Sequence, residues 1–271
     1  MKPNYLVIGA AKSGTTTLCE LLGRHPEVYM YFLKEVHFFD LYYNRGFKWY
    51  EAKFNPPAGV KAVGEGTPYA DGNQKHLQRI AEYLPEAKLI YIVRHPIERI
   101  ESNYVQLIDN NHDFTSLTNA IETCPKLVEA SLYWARINDF WKYYPQDKIL
   151  VLFVEDLYRD SLSVLKNCFD FLGVDSTVKI DNSSVQLNTR SQRATDIPLL
   201  RWLRKQPYFN DVKWALPYGL IQKVKPLLRK PIQKIDLTWE KSVREKVIAQ
   251  VTEDTKQFLN FYGKPEDYWK F

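Results

Sequence analysis

The chain has 271 residues, 45% hydrophobic and 25% charged, a globular composition that suits one large domain or two small ones and buries a core without covalent staples. Its net charge of +5 favours an anionic ligand but is far from a nucleic-acid footprint, and no basic stripe interleaved with aromatics occurs. Cys19, Cys124 and Cys168 show neither disulfide-framework nor metal-type spacing, no apolar run reaches the ~18 residues of a membrane span, and no signal peptide precedes the first strand, so a reducing, cytoplasmic setting is expected.

In chain order, Tyr5–Ile8 is an apolar run bounded by Gly9 and predicts a buried strand. From Thr15 the pattern turns helical, with Leu18, Leu21 and Leu22 on one face, and Gly23 and Pro26 end it. A short strand is expected at Lys61–Gly64, a helix from Asn73 to Leu84, and a strong strand from Ala87 to Val93 that stops at Arg94. Pro96 suits the first turn of a helix reaching about Leu107. One helix with an aromatic face is predicted from Lys126 to Tyr144, a strand at Lys148–Phe153, and a helix from about Ser161 to Leu172. Residues 176–235 read as irregular and rich in Arg, Lys and Pro, and a last helix runs from about Glu240 to Phe261. Strands alternating with helices predict an α/β fold with a central parallel sheet flanked by helices. Without a repeat or a dividing linker, residues 1–271 read as a single domain with its core at about 4–173. The high aromatic share, 14%, can build acceptor sites for flat or sugar-like ligands, though most such rings pack cores.

The stretch Gly9-Ala-Ala-Lys12-Ser13-Gly14-Thr15-Thr16 lies between the first strand and the first helix. Small residues there let backbone N–H groups approach an anion, and the helix dipole adds to them. Its spacing is that of a Walker A loop, except that Thr15 follows the last glycine and the lysine comes earlier, at Lys12. A lysine in mid-loop suits one phosphate and a group attached to it. A second anion element starts where the strongest strand ends, at Arg94, with Ser102 eight residues on. Ligands gather at the carboxyl ends of strands in open α/β sheets, and an Arg with a Ser hydroxyl can hold a phosphate monoester.

Together these motifs resemble the sulfotransferases that use 3′-phosphoadenosine-5′-phosphosulfate (PAPS), most closely the branch acting on heparan sulfate and related glycans and its bacterial relatives. The loop at 10–18 looks like the family's 5′-phosphosulfate loop, and residues 93–102 look like its 3′-phosphate element, with Arg94 and Ser102 in matching places. Glu35-Val-His37-Phe-Phe-Asp40 is similar to the motif carrying that branch's catalytic base, and residues 131–160 are similar to the helix–strand segment that follows. The likeness implies a P-loop-like three-layer fold and a sulfonate transfer that needs no metal. By it, Lys12 stabilises the leaving phosphate oxygen, and Ser13, Gly14, Thr15, Thr16 and Thr17 hold the 5′-phosphate. Glu35 is then the general base for an acceptor hydroxyl or amine, and His37 its partner. Asp40 either belongs with them or caps a turn, and Tyr133 either binds the nucleotide or is a core aromatic. Arg190 and Arg193, in Asn188–Arg193, are candidates for a basic loop over the nucleotide, with a solvated loop as the alternative. The product would be adenosine 3′,5′-bisphosphate and the acceptor a carbohydrate or glycolipid, with Tyr42–Tyr43 and Phe47, Trp49 and Tyr50 as candidate cleft walls. One departure stands out: several glycan-modifying members carry a lysine after the glutamate of the next motif, where this chain has Gly66 after Glu65. Two other readings remain. A P-loop nucleotide kinase would use Glu155 or Asp156 for Mg²⁺, and a non-catalytic protein would merely bind the nucleotide.

Overall fold

The centre is a five-stranded, all-parallel sheet made of β1 (Tyr5–Gly9), β2 (Val28–Met30), β3 (Ala62–Glu65), β4 (Lys88–Val93) and β5 (Ile149–Phe153), in the order β2-β3-β1-β4-β5. It is seen in a computed structural model that describes residues 1–31, 33–110, 112–181, 194–196, 224, 228–231 and 235–271. Strands buried on both faces read as continuous apolar runs, and β1 and β4 are such runs. Their side chains alternate between two cores. Leu6, Ile8, Leu89, Tyr91 and Val93 face one, while Tyr5, Val7, Ile90 and Ile92 face the other.

Helices cover both faces. α1 (Thr15–Leu22) and α9 (Ser161–Leu172) contribute Leu18, Leu22, Leu165 and Phe169 to one core. α3 (Gln74–Tyr83), α7 (Tyr133–Trp141) and α10 (Lys241–Phe261) contribute Leu77, Ile137 and Phe258 to the other. The remaining helices are α2 (Phe47–Glu51), α4 (Pro96–Asp109), α5 (Leu117–Thr123), α6 (Lys126–Glu129) and α8 (Val154–Arg159). An antiparallel pair, β6 (Ala194–Asp196) and β7 (Arg229–Pro231), lies within the stretch expected to be irregular. From β1 the chain moves out to β2, returns to β3, then crosses to β4 on the far side of β1. The carboxyl ends of β3, β1 and β4 therefore stand side by side at the point where the winding reverses, the usual place for a ligand in such sheets.

One expected helix is broken. The span Lys126–Tyr144 divides into α6 and α7 because tertiary contacts override its periodicity. Asp254 of α10 accepts the N–H groups of Trp134 (3.0 Å) and Ala135 (2.9 Å), so it caps α7 from 120 residues away. Between the two helices, buried Ser131 accepts from the Nε of Arg99, a fully buried arginine that also bonds the Leu127 carbonyl.

Candidate active site

The loop after β1 has the backbone an anion cradle needs. Gly14, the residue before α1, sits at φ 86°, and a Cβ there would lie 2.6 Å from Val154 Cγ2. Only glycine meets both demands. With no side chain at this position to cap α1, the N–H groups of the first turn have no partner within the helix and suit an incoming anion. Lys12 also takes a left-handed backbone, at φ 70°. Ser13 is fully buried, and its Oγ, beside the Tyr133 phenol, has no well-aligned hydrogen-bond partner. A buried hydroxyl with only a poorly aligned neighbour is under-satisfied, and a phosphate oxygen would complete its bonding. Thr15 and Thr17 are buried and Thr16 is exposed.

Arg94 is the first residue after β4, and its Nε donates to Glu98 Oε2 at 3.1 Å. Ser102 is buried in α4, two turns beyond that loop. Tyr133 is a core aromatic whose polar end reaches the loop after β4. Its ring is fully buried against Tyr91, Phe258 and Trp269, while its hydroxyl donates to the Arg94 carbonyl at 2.7 Å. Burial pushes that phenol up to about 12, so it stays a donor at neutral pH. Arg190 and Arg193 lie outside the described residues.

Glu35, His37 and Asp40 do come together. His37 donates from Nε2 to Glu35 Oε2 (3.3 Å) and from Nδ1 to Asp40 Oδ2 (2.8 Å). Asp40 also caps its turn, accepting the Leu41 N–H at 2.8 Å. The segment is not extended, since Lys34 and His37 have left-handed backbones at φ 68° and 55°. Lys34, absent from the sequence reading, donates to Glu35 Oε1 at 2.6 Å. Burial pushes the Glu35 carboxyl up, but the hydrogen bonds and charges of His37 and Lys34 override it and hold it at about 2. Burial pushes His37 down, but Asp40 and Glu35 override it and raise the ring to about 10. Glu35 is thus a carboxylate and His37 an imidazolium across the neutral range.

A buried node fixes this segment to the end of β3. Thr67 Oγ1 accepts from the backbone N–H of Val36 (3.1 Å) and of His37 (3.1 Å), and donates to Glu65 Oε2 (2.5 Å). Glu65 is fully buried and also accepts from the Thr67 N–H (2.8 Å) and the Tyr69 hydroxyl (3.1 Å). A carboxylate and a threonine two residues apart just past a buried strand are the signal that sequence reasoning passed over. Beneath the segment, Phe38 and Phe39 are buried against Tyr50 and Tyr69. Phe47 stacks on Tyr83 with ring centroids 4.0 Å apart, so much of the aromatic cluster considered for the acceptor cleft supports the Glu35–Asp40 turn instead. Trp49 is half-buried and packs beneath the Lys53 ammonium.

Of the carboxylates that a kinase would use for Mg²⁺, Asp156 is engaged through both oxygens and Glu155 through one. Asp156 pairs with Lys264 (2.6 Å) and accepts from the Tyr268 hydroxyl (3.0 Å), and Glu155 accepts the His95 N–H (2.9 Å). Among the described residues no group of three His, Cys, Asp or Glu side chains could hold a metal ion.

A parallel sheet covered by helices on both faces, with a strand–loop–helix turn at the end of its central strand, defines a P-loop-like fold of the sulfotransferase kind. A sulfotransferase from Alicyclobacillus acidocaldarius superposes with a TM-score of 0.71 over 99% of both chains, at 20% identity. Residues 2–211 match the family model for the sulfotransferase domain, and the chain belongs to that family. Among characterised relatives, heparan sulfate glucosamine 3-O-sulfotransferase 6 of Mus musculus is 30% identical over 184 residues, 65% of this chain and 54% of the relative. The membrane-associated sulfotransferase kil1 of Dictyostelium discoideum is 36% identical over 138 residues, 45% of this chain and 29% of the relative. The chain therefore spans about half, or less, of the length of the curated relatives it matches.

Proposed function

We propose that this chain transfers a sulfonate group from PAPS to a hydroxyl or amine of a carbohydrate or glycolipid acceptor, with Glu35 as general base. The observation that carries this reading is the alignment of three elements at adjacent strand ends. These are the uncapped α1 loop after β1, Arg94 after β4, and Glu35 tied through Thr67 to the end of β3. PAPS supplies a sulfonate already activated by attachment to a phosphate. The first-turn amides of α1, the Ser13 hydroxyl and the Thr15–Thr17 hydroxyls hold the 5′-phosphate. Lys12 stabilises charge that develops on the bridging oxygen as the S–O bond breaks. Arg94 exchanges its contact with Glu98 for the 3′-phosphate, and Ser102 assists from α4. Glu35 takes the acceptor's proton as the new S–O or S–N bond forms, and His37 and Asp40 hold its carboxylate in place. The relatives that carry the words heparan sulfate in their names support the choice of a sugar acceptor.

The test is incubation of the protein with PAPS labelled in the sulfonate and a panel of glycans and glycolipids, followed by identification of the labelled product. Transfer to a sugar by the native chain and at least about 100-fold slower transfer by Glu35→Gln support the reading. Label retained on the donor, with ATP hydrolysed in the presence of Mg²⁺, would favour the kinase. Tight nucleotide binding with no transfer to any acceptor would favour a binding protein.

A further inference from the structure

The ammonium of Lys34 reaches Glu35 along a stem packed against residue 66, which has no side chain. A Cβ placed on Gly66 would lie 3.1 Å from Lys34 Cγ, 3.4 Å from Lys34 Cε and 2.6 Å from Cys19 Sγ. The stem of Lys34 therefore lies across the bare face of Gly66. The two residues are also joined through the backbone, because Gly66 N–H donates to the Lys34 carbonyl at 2.7 Å. Lys34 itself is pinned by its own N–H on the Tyr31 carbonyl (2.8 Å) and holds a left-handed φ of 68°. Its side chain is 16% exposed, against 37% for Glu35, so the lysine is the more enclosed member of the pair and the carboxylate keeps a solvent-facing part.

We propose that Lys34 is the positioning residue for the base Glu35, and that Gly66 is the slot that admits it; the inference rests on Glu35 acting as the base. With Lys34 on Oε1 and His37 on Oε2, each oxygen is held by one donor, and the carboxylate cannot rotate about its last bond. Each oxygen keeps a second lone pair for the acceptor's proton. Without Lys34 one end of this clamp is lost, and burial, the largest influence on the Glu35 carboxyl, is opposed by His37 alone. A side chain at position 66 would crowd the Lys34 stem, which lies 3.1–3.4 Å from such a Cβ, as well as Cys19, and so act in the same direction. Lys34→Met keeps the bulk of the stem without its charge, and Lys34→Arg keeps the charge.

The experiment reads Glu35 directly. Carboxyl carbon NMR of the full chain, with Glu35→Gln used to assign the signal, follows the titration of Glu35 without any substrate. The native signal should remain that of a carboxylate down to the lowest pH at which the chain stays folded. In Lys34→Met the midpoint should rise by at least about one unit, Lys34→Arg should restore the native behaviour, and Gly66→Ala should follow Lys34→Met. In the transfer assay Lys34→Met should lower kcat about tenfold or more with the KM for donor unchanged, and Lys34→Arg should recover most of it. An unshifted Glu35 titration in folded Lys34→Met overturns the proposal, as does a folded Gly66→Ala that matches the native chain. Should Gly66→Ala fail to fold against Cys19, the Met and Arg variants decide. If the native chain transfers no sulfonate, the base assignment falls, while the titration still decides whether Lys34 governs Glu35.

Discussion

Replacing Thr67 with valine removes one hydroxyl and almost no volume, so its effect can be worked out from three contacts. Thr67 Oγ1 donates to the buried Glu65 and accepts the N–H groups of Val36 and His37. The Val36 N–H keeps a longer contact with Glu65 Oε2 at 3.4 Å, so the His37 N–H is the group left without a partner. Burial pushes the Glu65 carboxyl above its ordinary value, and the Thr67 hydroxyl is first among the contacts that pull it back. Losing a hydrogen bond to such a group costs about 1.5–3 kcal/mol, and an unpaired N–H about 1–3 kcal/mol, toward the lower end for the part-buried His37. The expected destabilisation is therefore about 2.5–6 kcal/mol, a large part of the ~5–15 kcal/mol that holds a domain folded. Thr67→Ser keeps the hydroxyl and loses only a buried methyl, for about 1 kcal/mol. Guanidinium unfolding of the three proteins, with equal slopes, measures both values. Turnover of the folded fraction should fall about tenfold or more in the valine variant, because Glu35 and His37 lose their anchor to β3. A valine variant within about 0.5 kcal/mol of the native chain would refute the reasoning, since that is the scatter of neutral surface changes.

Lys12→Ala should lower turnover at least about 100-fold through lost charge stabilisation at the leaving oxygen, as measured by initial rates with saturating donor. Arg94→Ala should weaken adenosine 3′,5′-bisphosphate about 10- to 100-fold in calorimetry, the range of a charge-assisted hydrogen bond to phosphate. The pH dependence of stability should carry two separate signatures of the cluster. Glu35, whose folded value of about 2 lies below the ordinary 4.5, contributes stability that is present above pH 4.5 and is lost as pH falls through about 2. His37, raised from 6.5 to about 10, contributes stability that is complete below pH 6.5 and is lost as pH rises through about 10. Denaturant unfolding from pH 6 to 10 should therefore show an alkaline loss in the native chain that is absent in His37→Asn.

What could be read from the sequence was whatever local pattern decides. The strand–Gly–helix junction at Gly9–Thr15, the β4 run ending at Arg94 and the helix Ser161–Leu172 all stood where apolar runs and turn residues put them. The break between α6 and α7 was invisible, because its cause, Asp254, lies 120 residues away on another helix. β2 was missed because three residues at a sheet edge have too short a pattern to register. The same division runs through the site. The phosphate loop, Arg94 and the Glu35–His37–Asp40 motif were legible as local strings. Glu65, Gly66 and Thr67 lie close together in the chain, but their partners Lys34, Val36 and His37 lie across the gap between β3 and the turn before Glu35, and no spacing along the chain reveals that pairing. Tyr133 read equally well as a core ring or a site residue because it is amphipathic, with a ring that packs in the core and a hydroxyl that reaches the Arg94 carbonyl.

Titration calorimetry of adenosine 3′,5′-bisphosphate against the native chain, Lys12→Ala and Arg94→Ala tests the donor site most directly. Saturable one-to-one binding by the native chain without added metal, weakened at least about tenfold by each substitution, is the expected result. No binding by the native chain, or native affinity in Arg94→Ala, would contradict a site in which the ends of β1 and β4 grip the two phosphates of one nucleotide.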